Sequence, residues 1–287
     1  MLDSPPGQWQ DAARKLWEPM AGMYFFIPGD LDMAAVHSQN FGFDPDSSRQ
    51  QVDDALCKLE EANAWDRIEQ ALTKGVQYLE TANPGLTIPD LTVLLVLGDP
   101  SNEHFMNEIR GLSAFGGISG YIAITIWPTE EVLHRLEAIA LHELHHNVRY
   151  SPDGIVWNPQ TVTVGEHIVA EGLADLFAAQ FYGQRGYTHF VTDQTRSRED
   201  VLRRVVEGLD VTGMQDFAAW VLGDSSARLM GSKPVGLPTG AGYAAGARIA
   251  QTYMDKTGRT ASECVTTPAA EILNVALPQL GLTRHDS

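Results

Sequence analysis

Three of the nine histidines fall in one short stretch, His142-Glu143-Leu144-His145-His146. On a helix, His142 and His146 stand one turn apart and within about 40° of each other around the axis, so both imidazoles can reach one ion. Glu143 is the neighbour of the first of them. Its carboxylate projects beside the ion, where it can take a proton from water instead of ligating. This is the H-E-x-x-H arrangement of zinc hydrolases. A catalytic zinc site also needs a third protein ligand and an open fourth position. The best candidate is Glu171, in Glu171-Gly172-Leu173-Ala174-Asp175. Glu171 and Asp175 are four apart and share a helix face, and their neighbours Ile168, Val169, Leu173, Leu176 and Phe177 are apolar. Both carboxylates should therefore point inward, where a charge needs a cation or a donor. Zinc supplies the cation for Glu171, and the N–H of a ligating histidine supplies the donor for Asp175, fixing the tautomer of that ring.

Nearby residues of similar type read differently. Glu166 lies three residues after Thr163, a Thr-x-x-Glu capping box, and is expected to be structural. His167 is expected to be solvated or a minor packing residue. His145 could in principle replace His146, but the H-E-x-x-H phase favours His146 and leaves His145 on the flank of the cleft. Cys57 and Cys264 are far apart in sequence and lack the spacing of a disulfide framework or a zinc knuckle, as expected of isolated thiols in a reducing compartment.

The elements that must position these residues follow from the apolar spacing. Residues 1–46 read as an irregular arm, with Tyr24-Phe25-Phe26 among turn formers such as Gly29, Asp30 and Asp44-Pro45-Asp46. From residue 47 to 79 a helical period predicts two helices, closed by Asn83-Pro84-Gly85. Residues 91–97 and 121–127 read as strands, the second reached through a glycine-rich approach with Gly111, Gly116, Gly117 and Gly120. Thr129 opens a long helix through Arg149, and Thr163 another to about Tyr182. Further helices are expected at 197–208, 213–222, 241–256 and 268–276. The fold class is α+β: a small sheet, then the active-site helix, then a mostly helical C-terminal half.

The chain has 287 residues, enough for one large domain or two lobes, and 44% of them are hydrophobic, as in ordinary globular proteins. Thirty-seven Asp and Glu against twenty Lys and Arg leave a net charge of −17. Such a field repels phosphate backbones and anionic lipid surfaces, so nucleic-acid and membrane partners are not expected. The N-terminus has no basic start followed by an apolar stretch, and no apolar run is long enough to span a bilayer, so a cytoplasmic protein is expected.

His142-Glu143-Leu144-His145-His146-Asn147 with Glu171-Gly172-Leu173-Ala174-Asp175 resembles the YjaZ-like predicted zinc-dependent proteases, a domain-of-unknown-function family similar to the gluzincin metallopeptidases. Gly117-Ile118-Ser119-Gly120-Tyr121-Ile122, Pro128-Thr129-Glu130-Glu131 and Gly242-Tyr243 with Gly246 extend the resemblance over about residues 91 to 254. It implies a zincin-like fold, with an N-terminal arm and helical segment at 1–84 and a metallopeptidase domain at 85–287, itself divided into sheet and active helix, 85–150, and a helical lobe, 151–287. It also implies one Zn²⁺ on His142, His146 and Glu171, Glu143 as general base, Asp175 as partner of a ligand, and hydrolysis of a peptide or protein substrate. Tyr243 is the candidate donor to the oxyanion, with Arg248 and Tyr150 behind it. The strand at 121–127 is the expected cleft edge, where an extended peptide could pair. Two other readings keep the metal: a non-catalytic, zinc-stabilised binding or regulatory protein, and a zinc hydrolase of a non-peptide amide.

Overall fold

The structure is a computed structural model describing residues 1–283 apart from 2, 3, 6, 28, 30 and 45. Asp30 and Pro45 of the N-terminal arm, and Leu2, Asp3 and Pro6 of the N-terminus, thus lie outside the described residues. The architecture is α+β, as the periodicity predicts.

Three strands, β1 (Thr92–Leu97), β2 (Leu112–Ile118) and β3 (Tyr121–Ile126), form one sheet in the order β1-β3-β2. β1 runs parallel to β3, with Thr92 opposite Tyr121, and β2 runs antiparallel to it, with Leu112 opposite Ile126. Two expectations are corrected here. The Tyr121–Ile126 strand is central instead of an edge, and its run of buried apolar residues suits a strand covered on both faces. The glycine-rich approach is itself the edge strand β2. Gly116 and Gly117 conceal it, because glycine carries no strand signal. The register slips by one residue between Phe115 and Ile118, a bulge at these glycines.

The helices largely follow the predicted pattern. α1 (Trp9–Trp17) and α2 (Met33–Gln39) replace the expected irregular arm; Trp9, Ala12, Ala13, Leu16 and Trp17 recur at helical spacing in α1, a signal that the turn formers around it obscure, whereas α2 is too short to show a period on its own. They bury Trp17 and His37, joined by a 3.0 Å bond from the Trp17 indole N–H to His37 Nδ1. α3 (Arg49–Glu61) and α4 (Ala64–Ala82) are the expected pair. The single long helix predicted from Thr129 is broken into α5 (Glu130–Leu133) and α6 (Leu136–Arg149). Arg67 spans the break, donating to the Leu133 carbonyl and gripping Glu137 through both carboxylate oxygens at 2.7 Å.

α7 (Val164–Tyr182) is buried on every side from Val164 to Ala178, as a central helix must be, and Thr163 caps its start by accepting the Glu166 N–H. There follow α8 (Asp193–Ser197), α9 (Glu199–Val206), α10 (Asp224–Leu229), α11 (Ala241–Thr257) and α12 (Ala269–Gln279). The helix expected at 213–222 shrinks to one π-turn, Ala218–Leu222. α6 lies between the sheet and α7, α4 packs behind α6, and α11 crosses α7. One hydrophobic core runs from Phe43 to Leu282, so residues on both sides of position 84 share it. No helix among the described residues is long and apolar enough to cross a membrane.

Candidate metal centre

α6 presents His142 and His146 one turn apart, and α7 presents Glu171 and Asp175 one turn apart on the facing side. The structure brings all four together in the interior. His142 Nε2, His146 Nε2 and Glu171 Oε2 form a triangle with edges of 3.0, 3.1 and 3.2 Å. They are the only group of His, Cys, Asp or Glu among the described residues arranged to hold a metal ion. Neither cysteine belongs to it, Cys57 being exposed and Cys264 buried.

The protonation pattern follows from the outer contacts. His142 Nδ1 lies 3.0 Å from Asp175 Oδ1 and donates its proton there, while Nε2 faces His146 and Glu171, where it either holds a second proton or, once that proton leaves, offers a lone pair to a metal. Three ligand-type atoms thus converge on one buried point beside the Glu171 carboxylate, an arrangement that draws in positive charge. The electrostatics agree. Burial opposes charge on His142, yet the bonds from Asp175 and Glu171 outweigh it and raise its pKa well above the ordinary value. Burial works likewise against the Glu171 carboxylate, but the two imidazoles hold its pKa far below the usual range. A tetrahedral zinc with bonds of about 2.05 Å separates its ligands by about 3.3 Å, so the two-imidazole, one-carboxylate set fits zinc in chemistry and in spacing.

Glu143 is buried beside this triangle and is not part of it. Burial pushes its carboxyl pKa up, against the opposing pull of the His142 and His146 rings. The edge strand passes very close: a Cβ on Gly116 would lie 2.4 Å from the Glu143 carbonyl oxygen, so only glycine lets β2 lie this near to α6. Tyr243, on α11, stacks along His142 with ring centres 6.2 Å apart. Burial, then Glu171, Glu143 and Asp175, raise its pKa well above the ordinary tyrosine value, so its hydroxyl stays protonated.

Other residues sit elsewhere than the spacing implies. His145 is no flank of a cleft; it is fully buried, with Nε2 3.3 Å from the Ala261 carbonyl and its ring against Phe177 of α7. Arg248 turns to Glu199 on α9. Tyr150 and His167 stand one turn from His146 and Glu171 respectively, and the Tyr150 hydroxyl and His167 Nε2 have no hydrogen-bond partner among the described residues. His167 is buried edge-on against Phe217, and burial lowers its pKa to about 4. The Glu166 carboxylate is forked onto the buried Arg149 at 2.7 and 2.9 Å, instead of turning back to the Thr163 N–H as a capping box would.

Two contributors are given no role by the spacing. Asn147, next to His146, ties α6 to the β2–β3 hairpin through four hydrogen bonds. Thr188 donates to Asp175 from its backbone N–H and its hydroxyl.

A family model described as Predicted Zn-dependent protease (DUF2268) matches residues 64–274, which hold the sheet, α6, α7 and α11. The Uncharacterized protein YjfC of Bacillus subtilis (strain 168) is 32% identical over 224 residues, 77% of this chain and 72% of that protein. No solved structure matches the chain.

Proposed function

The chain belongs to the family of predicted Zn-dependent proteases, and from that membership we propose that it is a zinc metallopeptidase of gluzincin type, holding one Zn²⁺ on His142, His146 and Glu171. The observation that carries the reading is the convergence of two imidazole nitrogens and a carboxylate oxygen on one buried point, with the carboxylate of Glu143 beside them and outside the triangle.

When bound, zinc supplies Lewis acidity, polarising a carbonyl oxygen and making water acidic enough to ionise near neutral pH. Glu143 takes the proton lost as water attacks the carbonyl carbon, then passes it to the nitrogen of the leaving amine. The upward push that burial gives its pKa suits a group that must both accept and release a proton near neutrality. Asp175 holds a proton on His142 Nδ1, so that Nε2 is the nitrogen that faces the site and would bind the metal in place of its own proton. Tyr243, with its hydroxyl protonated, donates to the charge that grows on the carbonyl oxygen. A peptide pairs through its main chain with the open edge of β2, beside the 40% exposed Phe115.

A purely structural ion would be closed by a fourth side chain, usually Cys or His, and would have no use for Glu143. Metal analysis with cleavage of a mixed peptide library, comparing wild type with Glu143→Gln, tests the reading. One zinc per chain is expected in both, with cleavage at least about a hundredfold slower in the variant. Wild type without zinc overturns the assignment. Zinc-loaded wild type that cleaves no peptide shifts the reaction to another amide or removes it.

A further inference from the structure

We propose that Thr188 is a positioning residue for this centre, locking the Asp175 carboxylate in the one orientation that holds His142 for the metal. The inference rests on the metal reading above. Asp175 Oδ1 accepts three hydrogen bonds, from His142 Nδ1 at 3.0 Å, from the Thr188 N–H at 3.1 Å and from the Thr188 hydroxyl at 2.8 Å. The terminal torsion of an aspartate is soft, so a carboxylate held at one point can swing. Two donors from a single residue remove that freedom, and Asp175, only 2% exposed, has little access to solvent for other partners.

The chain is built to deliver Thr188 there. α7 ends at Gly183 with φ of +58°, and a 3₁₀ turn, Gly183–Gly186, folds the chain back along the helix. A Cβ on Gly186 would lie 2.2 Å from the Ala179 nitrogen, so this return is as tight as a backbone allows. The next residues anchor the same segment on other sides. His189 Nε2 lies 2.8 Å from the Ile109 carbonyl, and the His189 carbonyl accepts from Arg110, both just before β2. Phe190 meets Tyr243 edge-on at 5.5 Å, and Tyr243 stacks on His142. One short segment thus reaches His142 twice, through Asp175 and through Tyr243.

The test is the Zn²⁺ affinity of the full chain, measured by competition with a chromophoric chelator for wild type, Thr188→Val and Thr188→Ser. Valine keeps the backbone donor and the branched shape and replaces the hydroxyl by a methyl that cannot donate, so affinity should fall about five- to tenfold, while serine should stay within about twofold of wild type. Should the valine variant not fold, Thr188→Ala carries the same expectation. Undiminished affinity without the hydroxyl, or failure of serine to restore it, overturns the role of Thr188 while the metal site stands. A wild-type chain that binds no zinc removes the metal site itself.

Discussion

Gly172 of α7 and Gly246 of α11 pass each other backbone to backbone: a Cβ on Gly172 would lie 2.1 Å from the Gly246 carbonyl carbon and oxygen. The reverse contact is as close, a Cβ on Gly246 falling 2.0 Å from the Ile168 carbonyl oxygen. The crossing sets the depth of two side chains of the candidate centre, Glu171 being adjacent to Gly172 and Tyr243 lying three residues before Gly246. Glycine is needed here for approach, since neither residue has a positive φ.

Gly172→Ala should therefore push the two helices apart. Overpacking of this kind costs about 1–3 kcal/mol, and here the obstacle is backbone that cannot rotate away, which places the cost at the upper end. Urea unfolding reads the stability loss and chelator competition reads the weakened zinc binding expected as Glu171 moves. A variant as stable as wild type, with unchanged zinc affinity, would show that the crossing has slack.

Asn147 is the second prediction. It is fully buried, its Oδ1 accepts the Gly120 N–H at 2.8 Å, and its Nδ2 faces the carbonyls of Gly116, Ile118 and Tyr121 at 2.8–3.1 Å. Asn147→Leu keeps the size and strands these backbone groups, each worth about 1–3 kcal/mol when buried without a partner. Faster amide exchange should appear at 116–121, with lower overall stability. Exchange unchanged in the hairpin would mean that the ladder to β3 alone holds it.

The residues that come together in the candidate centre were readable because their spacing is local. His142, Glu143 and His146 are fixed by helix geometry alone, and Glu171 with Asp175 by acids recurring among apolar neighbours. What failed to show was long-range. α6 is covered by the sheet on one side and by helices on others, so it has no solvated face on which to leave His145. β2 is an edge strand written in glycine, legible only once Gly116 is seen against Glu143. Thr188 acts thirteen residues beyond Asp175 through a turn of tertiary origin, and no period marks it.

Glu166 illustrates a half-correct expectation and gives the third prediction. Its N–H is capped by Thr163, but its carboxylate neutralises Arg149, which is 0% exposed and also donates to the carbonyls of Val265 and Thr267. Glu166→Gln leaves that guanidinium buried without its counter-charge, at a cost of about 3–5 kcal/mol, whereas replacing both partners by apolar residues should cost less. Urea midpoints for Glu166→Gln and for the Arg149→Met, Glu166→Leu double variant decide it. A single variant milder than the double would place the net charge balance of this pair elsewhere.

The fourth prediction concerns acid stability. His189 is 8% exposed, and burial lowers its pKa from 6.5 to about 4 despite the bond to the Ile109 carbonyl. The unfolded chain takes up this proton near its ordinary value while the folded chain refuses it until about pH 4. The stability held by the neutral ring is thus complete above 6.5, falls as pH drops toward 4, and changes no further below that. One proton carries a slope of about 1.4 kcal/mol per pH unit, so the loss across this window is about 3 kcal/mol. His167, with a pKa also lowered to about 4, adds a second proton over the same range. His189→Gln retains an N–H donor for Ile109 and removes the titration. Unfolding free energies measured between about pH 7 and pH 4.5 should show a shallower acid limb in this variant by one proton, the His167 share remaining. Parallel curves for the two proteins would mean that His189 reaches solvent and titrates as it does in the unfolded chain.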